Sequence, residues 1–207
     1  MDLILEAAGV RKVFNRRTIF DGISFRVVQG GTLLISGRNG SGKSTLVKIL
    51  AGVLSPTAGD VTLAGPPQRS ASERTRWVGF VSPYLQLYEE FTAMENLHLA
   101  LSLRGARADS KSGTELLDLL GLADRRHDPV RTFSSGMKQR VKYAFALVHR
   151  PPVLILDEPM ANLDAEGIEA VRGLMRAQCS QGILVVATNE LTDVERYEER
   201  VDLHGAR

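Results

Sequence analysis

Nine consecutive residues, Gly37-Arg38-Asn39-Gly40-Ser41-Gly42-Lys43-Ser44-Thr45, constrain this chain more than any other stretch. They follow an apolar run, Thr32–Ser36, and precede a helix-favouring run from Thr45 to Ala51. Strand, glycine-rich turn and helix in that order make the G-x-x-x-x-G-K-[ST] pattern a phosphate cradle. Residues without a Cβ reach positive φ, so successive backbone N–H groups can converge on an anion. The helix start aims its positive dipole end at the same point. Lys43 supplies a mobile charge for β- and γ-phosphates, and the Ser44 hydroxyl is placed to ligate Mg²⁺. Read alone, the stretch implies a nucleotide, ATP or GTP.

A chain of 207 residues is long enough for one substantial α/β core. Its 43% hydrophobic and 24% charged residues describe a globular chain, and a formal net charge of +2 offers no pull on a nucleic acid. Cys179 is the only cysteine, which excludes an intrachain disulfide and suits a small filler on a helix in a reducing compartment. The first residues, Met1–Glu6, have neither the basic start nor the apolar core of a leader. No window approaches the ~18 uninterrupted apolar residues of a membrane span. A cytoplasmic protein is expected, with any transmembrane work left to another chain.

The patterning predicts strands over Leu3–Phe14, Ile19–Val28, Thr32–Ser36, Val61–Ala64 and Trp77–Val81. Ser55–Asp60 reads as a loop, and the arginines and Glu73 within Gly65–Arg76 read as a solvated surface. After Pro83 helices dominate: Met94–Leu103, then Ser112–Leu120 with Leu116, Leu117, Leu119 and Leu120 as its apolar face, then Gly136–His149 ended by Pro151-Pro152. Residues 84–149 are therefore read as a mainly helical insertion in a single 1–207 unit. Val153–Leu156, apolar on both faces, is a central parallel strand; helix Ala165–Ser180 and strands Ile183–Ala187 and Val201–Leu203 follow. Strands and helices alternating around a parallel sheet give the doubly wound α/β class.

Ligands of such sheets bind at the carboxyl ends of the strands. Asp157 ends an apolar strand and would lie beside the phosphate loop, where it can hold Mg²⁺ directly or through water. Glu158 follows it, outside the metal's coordination shell, where a carboxylate can orient or deprotonate an attacking water. An isolated Asp-Glu-Pro is often only a strand-ending turn; its place behind four apolar residues and downstream of the loop argues for chemistry.

With these motifs in order, the chain resembles the ATP-binding subunits of ABC transporters over nearly its whole length. Thr132–Arg140 is similar to the family signature usually written LSGGQ and precedes Leu156-Asp157-Glu158-Pro159 as the family requires. The resemblance implies an antiparallel β subdomain at the N-terminus, an inserted helical subdomain, and two ATPs held with Mg²⁺ in a head-to-tail dimer. Ser134, Ser135 and Gly136 would then face the γ-phosphate bound by a second copy, and Asp164 of Ala161–Asp164 would lie at the dimer seam. Phe14 matches the aromatic that stacks on adenine. Taken by themselves, Ser134-Ser135-Gly136 also fit a plain helix cap and Phe14 a hairpin aromatic.

Three departures stand out. The signature reads Phe-Ser-Ser-Gly-Met, which keeps the backbone donors. Pro83 occupies the position of the family's metal-sensing glutamine, and Gln86 lies three residues later. Either Gln86 serves the metal through a different loop path or that contact is missing. Asn189 stands where the family has its switch histidine; it can donate a hydrogen bond to the γ-phosphate but cannot take up a further proton or carry positive charge. With Lys43, Ser44, Asp157 and Glu158 all intact, slower but real ATP hydrolysis is expected, with a clamp that binds without turnover as one alternative and a soluble ATPase acting on ribosomes or DNA as another. Leu87–Leu97 and the Ser-Ser-Gly-Met-Lys-Gln-Arg signature look most like the compact ATPases of heme export and cytochrome c maturation. The implied partners are a second copy and an integral membrane permease on the inner (plasma) membrane's cytoplasmic face, its helix docking near Tyr84–Phe91, with no direct contact to cargo and none to nucleic acid.

Overall fold

Apolar residues on both faces of three strands make the parallel sheet the centre of the molecule. The computed structural model describes residues 3–65, 71–106 and 110–203, with only the backbone of 71–73 and 110. Strands β1 (Ile4–Phe14), β2 (Arg17–Val28) and β4 (Ala58–Ala64) form an antiparallel sheet in the order β2-β1-β4. Asn15 and Arg16, at φ 45° and 68°, make the two-residue turn of its hairpin, closed by the Phe14–Arg17 pair. Strands β3 (Thr32–Gly37), β5 (Val78–Val81), β6 (Val153–Asp157), β7 (Ile183–Thr188) and β8 (Glu199–Leu203) form a parallel sheet in the order β5-β6-β7-β3-β8.

Alternation along the central strands divides the core. Leu33, Ile35, Val153, Ile155, Ile183 and Val185 turn to the antiparallel sheet and to helix α1 (Lys43–Leu50). Leu34, Leu154, Leu156, Leu184 and Val186 turn to the other side, where the helices lie. That two-faced burial is why these strands read as continuous apolar runs. Helices α2 (Ala93–Ser102), α3 (Ser110–Leu119) and α4 (Ser135–Leu147) fall between β5 and β6, and α5 (Ala165–Gln181) between β6 and β7. Thr92 and Glu95 form a reciprocal capping box that starts α2.

The fold class agrees with the expectation, while three local readings need correcting. β4 begins at Ala58, inside the predicted loop, because pairing with β1 as far as Arg11 overrides local turn chemistry. Arg74 is buried, donating to the carbonyls of Ile49 at 3.2 Å and of Val61, so the polar Gly65–Arg76 stretch is not all solvated surface. Backbone carbonyls can bury a guanidinium that the sequence pattern assigns to water. Arg69 and the Glu73 side chain lie outside the described residues. On α3, Leu117 and Leu120 are buried but Leu119 is 56% exposed, since 3.6-residue periodicity cannot turn all four leucines inward.

Candidate functional site

The strand order sets three carboxyl ends side by side. β6 pairs with β7 at Asp157–Ala187, and β7 pairs with β3 at Ser36–Thr188. Asp157 and Glu158, Thr188 and Asn189, and the 37–42 loop therefore share one rim, as ligand sites of open parallel sheets do.

The loop turns on residues at positive φ, with Gly37, Gly40 and Gly42 at 149°, 77° and 106°. A Cβ on Gly37 would stand 2.3 Å from the Leu203 carbonyl oxygen, and one on Gly42 would stand 2.6 Å from Ile19 Cγ2. Gly42 leads straight into α1 with no side-chain cap, which leaves the helix's first N–H groups free for an anion. Lys43 is buried in the same place; its Nζ donates to the Gly37 carbonyl at 2.9 Å and lies 3.3 Å from Glu158 Oε1. Arg38, Asn39 and Gly40 are exposed at the surface.

Asp157 is 1% exposed, and neither of its carboxylate oxygens has a hydrogen-bond partner among the described residues. Burial raises its pKa; Ser44, Lys43 and Lys48 pull the other way and Glu158 adds to the rise. Ser44 acts from nearby, outside hydrogen-bond geometry. An unpaired, buried carboxylate beside a hydroxyl is the donor set a hard divalent cation takes. Glu158 holds a left-handed backbone at φ 52°, its N–H bonded to the Ala187 carbonyl at 2.8 Å. A side chain in that region is strained, and here the strain turns the Glu158 carboxylate towards Lys43. Tyr143 on α4 braces the segment beyond, its buried hydroxyl donating to the Pro159 carbonyl at 2.5 Å.

Thr188 is buried and donates to Asp193 Oδ2 at 2.6 Å, while accepting from the Glu190 N–H at 3.0 Å. Asn189 thus projects, exposed, from a fixed stem on the rim. Phe14 is 43% exposed at the hairpin end, with Lys12 Nζ 4.7 Å from its ring centre. The ring remains accessible for stacking.

The remaining candidates lie elsewhere. Ser134 accepts from the Met137 N–H at 3.2 Å as the N-cap of α4, so its hydroxyl serves as the ordinary cap; Ser135 and Gly136 follow at the helix start. α4 packs on β5, α2, α3 and α5, on the face of the parallel sheet opposite α1. The 161–164 turn lies against it, with the Asn162 carbonyl 3.3 Å from where a Gly136 Cβ would stand. Asp164 caps α5 through the Gly167 N–H and accepts from Arg140 Nη2 at 2.7 and 2.9 Å. These bonds hold its pKa down, the backbone bond from Gly167 first. Gln86 is exposed in a cleft of about 460 Å³ with Ser135, Lys138, Gln139 and Asn162, and is not among the groups acting on Asp157. Lys48, Tyr143, Arg140 and the Thr188–Asp193 pair were not anticipated from sequence. Only Lys48 left a signal, its spacing of one helical turn from Ser44.

Among the described residues no helix is long and apolar enough to cross a membrane. A sequence model of the family described as ABC transporter matches residues 20–161. The chain is 37% identical over 187 residues to the cytochrome c biogenesis ATP-binding export protein CcmA of Pseudomonas aeruginosa, covering 90% of this chain and 92% of that one. It is 39% identical over 189 residues to the lipoprotein-releasing system ATP-binding protein LolD 1 of Caulobacter vibrioides, covering 85% and 81% respectively. A solved ATP-binding subunit of an ABC transporter superposes with a TM-score of 0.85 at 30% identity, over 97% of this chain and 86% of the other. Such likeness along nearly the full length, joined to a phosphate loop that shares its rim with an unpaired aspartate, has one meaning: the chain belongs to the ABC transporter family, as one of its ATP-binding, ATP-hydrolysing subunits.

Proposed function

We propose that two copies of this chain enclose two ATPs and, by closing and hydrolysing, drive a separate membrane-spanning subunit. The observation that carries the reading is the split site. Lys43, Ser44, Asp157 and Glu158 gather on one rim, whereas the exposed start of α4 lies outside it and is free to face another copy's γ-phosphate. The whole chain acts as one ATP-binding domain, with 84–149 as its helical subdomain. Phe14 stacks on adenine, the loop's N–H groups and Lys43 take the phosphates, and Ser44 with Asp157 hold Mg²⁺, which neutralises phosphate charge when bound. Glu158 orients the attacking water as Lys43 exchanges its carboxylate for phosphate, and Asn189 donates to the γ-phosphate. Tyr84, Tyr88 and Phe91, at 72%, 59% and 41% exposure, offer a docking face for a membrane subunit's helix, at the cytoplasmic face of the inner membrane.

Cargo of the heme-export, cytochrome c maturation type is favoured by similarity to CcmA over matching lengths. Lipoprotein release competes, on the LolD likeness. Tagged protein recovered from native membranes should bring a polytopic partner, whose identity separates the two. In that complex Glu158→Gln should cut phosphate release roughly 10²–10⁴-fold while ATP still binds. Unchanged turnover would remove Glu158 from its role, and a partner-free, wholly soluble protein would end the transporter reading.

A further inference from the structure

Lys48 lies one helical turn beyond Ser44 on α1, on the stripe facing Asp157, and its charge acts on that carboxylate. Its Nζ also sits 4.8 Å from the centre of the Tyr84 ring. Tyr84 belongs to the loop leaving β5, two residues beyond Ser82. The Val81–Leu156 pair carries the register forward so that buried Ser82 stands level with Asp157. Pro83 occupies the position the family gives to glutamine, and its carbonyl accepts from Lys142 Nζ of α4 at 3.3 Å. The loop is thus held from two sides, by α4 through Lys142 and by α1 through Lys48, while Gln86 turns to the cleft on α4.

We propose that Lys48 and Tyr84 form a positioning link by which the occupancy of the phosphate and metal site is carried to the 82–88 loop, the task for which Pro83 leaves no glutamine. The proposal rests on the ATP reading above. Its physics is a competition for one ammonium. Lys48 Nζ sits over the Tyr84 ring while its charge also acts on the Asp157 carboxylate. A divalent cation between Ser44 and Asp157 cancels the carboxylate's attraction and repels the ammonium along α1. The ring is then its remaining partner, so loading the site tightens the loop. Tyr84 is 72% exposed, so this contact is its main tether to α1.

Hydrogen exchange of peptides spanning 82–88 tests the link, with AMP-PNP plus EDTA compared against Mg·AMP-PNP and nucleotide affinity measured on the same samples. Wild type and Tyr84→Phe should exchange about two- to fivefold more slowly when the metal is added. Tyr84→Leu and Lys48→Met should lose that difference, and Tyr84→Leu should keep its AMP-PNP affinity within about twofold, since its ring lies outside the phosphate cradle. Metal-dependent slowing that survives Tyr84→Leu overturns the link and leaves the ATP reading intact. Wild-type protein that binds no nucleotide overturns both.

Discussion

Replacing Asp157 with asparagine should make the empty protein more stable while removing its response to metal. The carboxylate is 1% exposed and both oxygens lack a hydrogen-bond partner among the described residues. Its pKa is raised, with burial the largest cause, so the charged form is disfavoured in the fold. The sign follows: in the window above the ordinary value of 3.8 the native state binds more protons than the unfolded one, and stability falls as pH rises through it. The penalty is present in full only above the raised native-state pKa, where the buried carboxyl has lost its proton. An unsatisfied buried polar group costs about 1–3 kcal/mol, and more for a charged one. Asparagine keeps the shape and sheds the charge but leaves its own N–H₂ unpaired, so a gain of about 1 kcal/mol is expected. For a chain of this size that is a rise of roughly 2–4 °C in Tm. Differential scanning fluorimetry at pH 7.5, with and without Mg·ATP, gives both halves of the test. Wild type at 100-fold saturation should gain about 2.7 kcal/mol from ligand, and the variant much less. A variant that melts below wild type when empty would refute the argument, because Asp157 would then be stabilised by something within the chain.

Phe14→Ala should weaken nucleotide binding by roughly 1–3 kcal/mol, about 5- to 150-fold in titrations with a fluorescent ATP analogue, and Phe14→Tyr should restore it. Tyr143→Phe removes the buried bond to the Pro159 carbonyl and should cost about 1–2 kcal/mol in urea unfolding. Burial, aided by Arg104, holds the His149 pKa down to about 3, so the imidazole stays neutral in the fold while the unfolded chain takes up a proton below 6.5. Stability is therefore lost as pH falls from 6.5 towards 3, and His149→Met should flatten that slope by about 1.4 kcal/mol per pH unit at most. Asn189→His should speed phosphate release and add a titration near pH 6.5 that wild type lacks; a flat profile would mean the side chain does not meet the reacting phosphate.

What was legible in the sequence was what local physics fixes. Gly37, Gly40 and Gly42 announced a backbone only they adopt easily, and Val153–Leu156 announced a strand buried on both faces. Asp157 followed, because a charge closing such a strand must have a partner or a task. The parts not legible are pairs joined only by the fold. Arg140 and Asp164, Tyr143 and Pro159, and Lys48 and Tyr84 come from different elements, and nothing in their spacing predicts that they meet. Arg74 and Leu119 failed for a related reason, since polarity and periodicity report average environments, whereas burial depends on which neighbour arrives.

The same pairs set what a ligand must displace. Lys43 is held by the Gly37 carbonyl and Glu158, Asp164 by Gly167 and Arg140, and the Ser134 hydroxyl by the Met137 N–H. These three groups are already engaged, so at each of them a ligand must replace contacts of similar strength rather than add new ones. Asp157 is the exception, and that asymmetry selects the ligand. Phosphate without metal would bring anionic charge towards an uncompensated carboxylate. Metal without phosphate would satisfy Asp157 and leave Lys43 paired to Glu158. On the proposed reading only the two together would release Lys43 from Glu158 and pair Asp157 in one event, freeing the Glu158 carboxylate to orient water when a γ-phosphate is present.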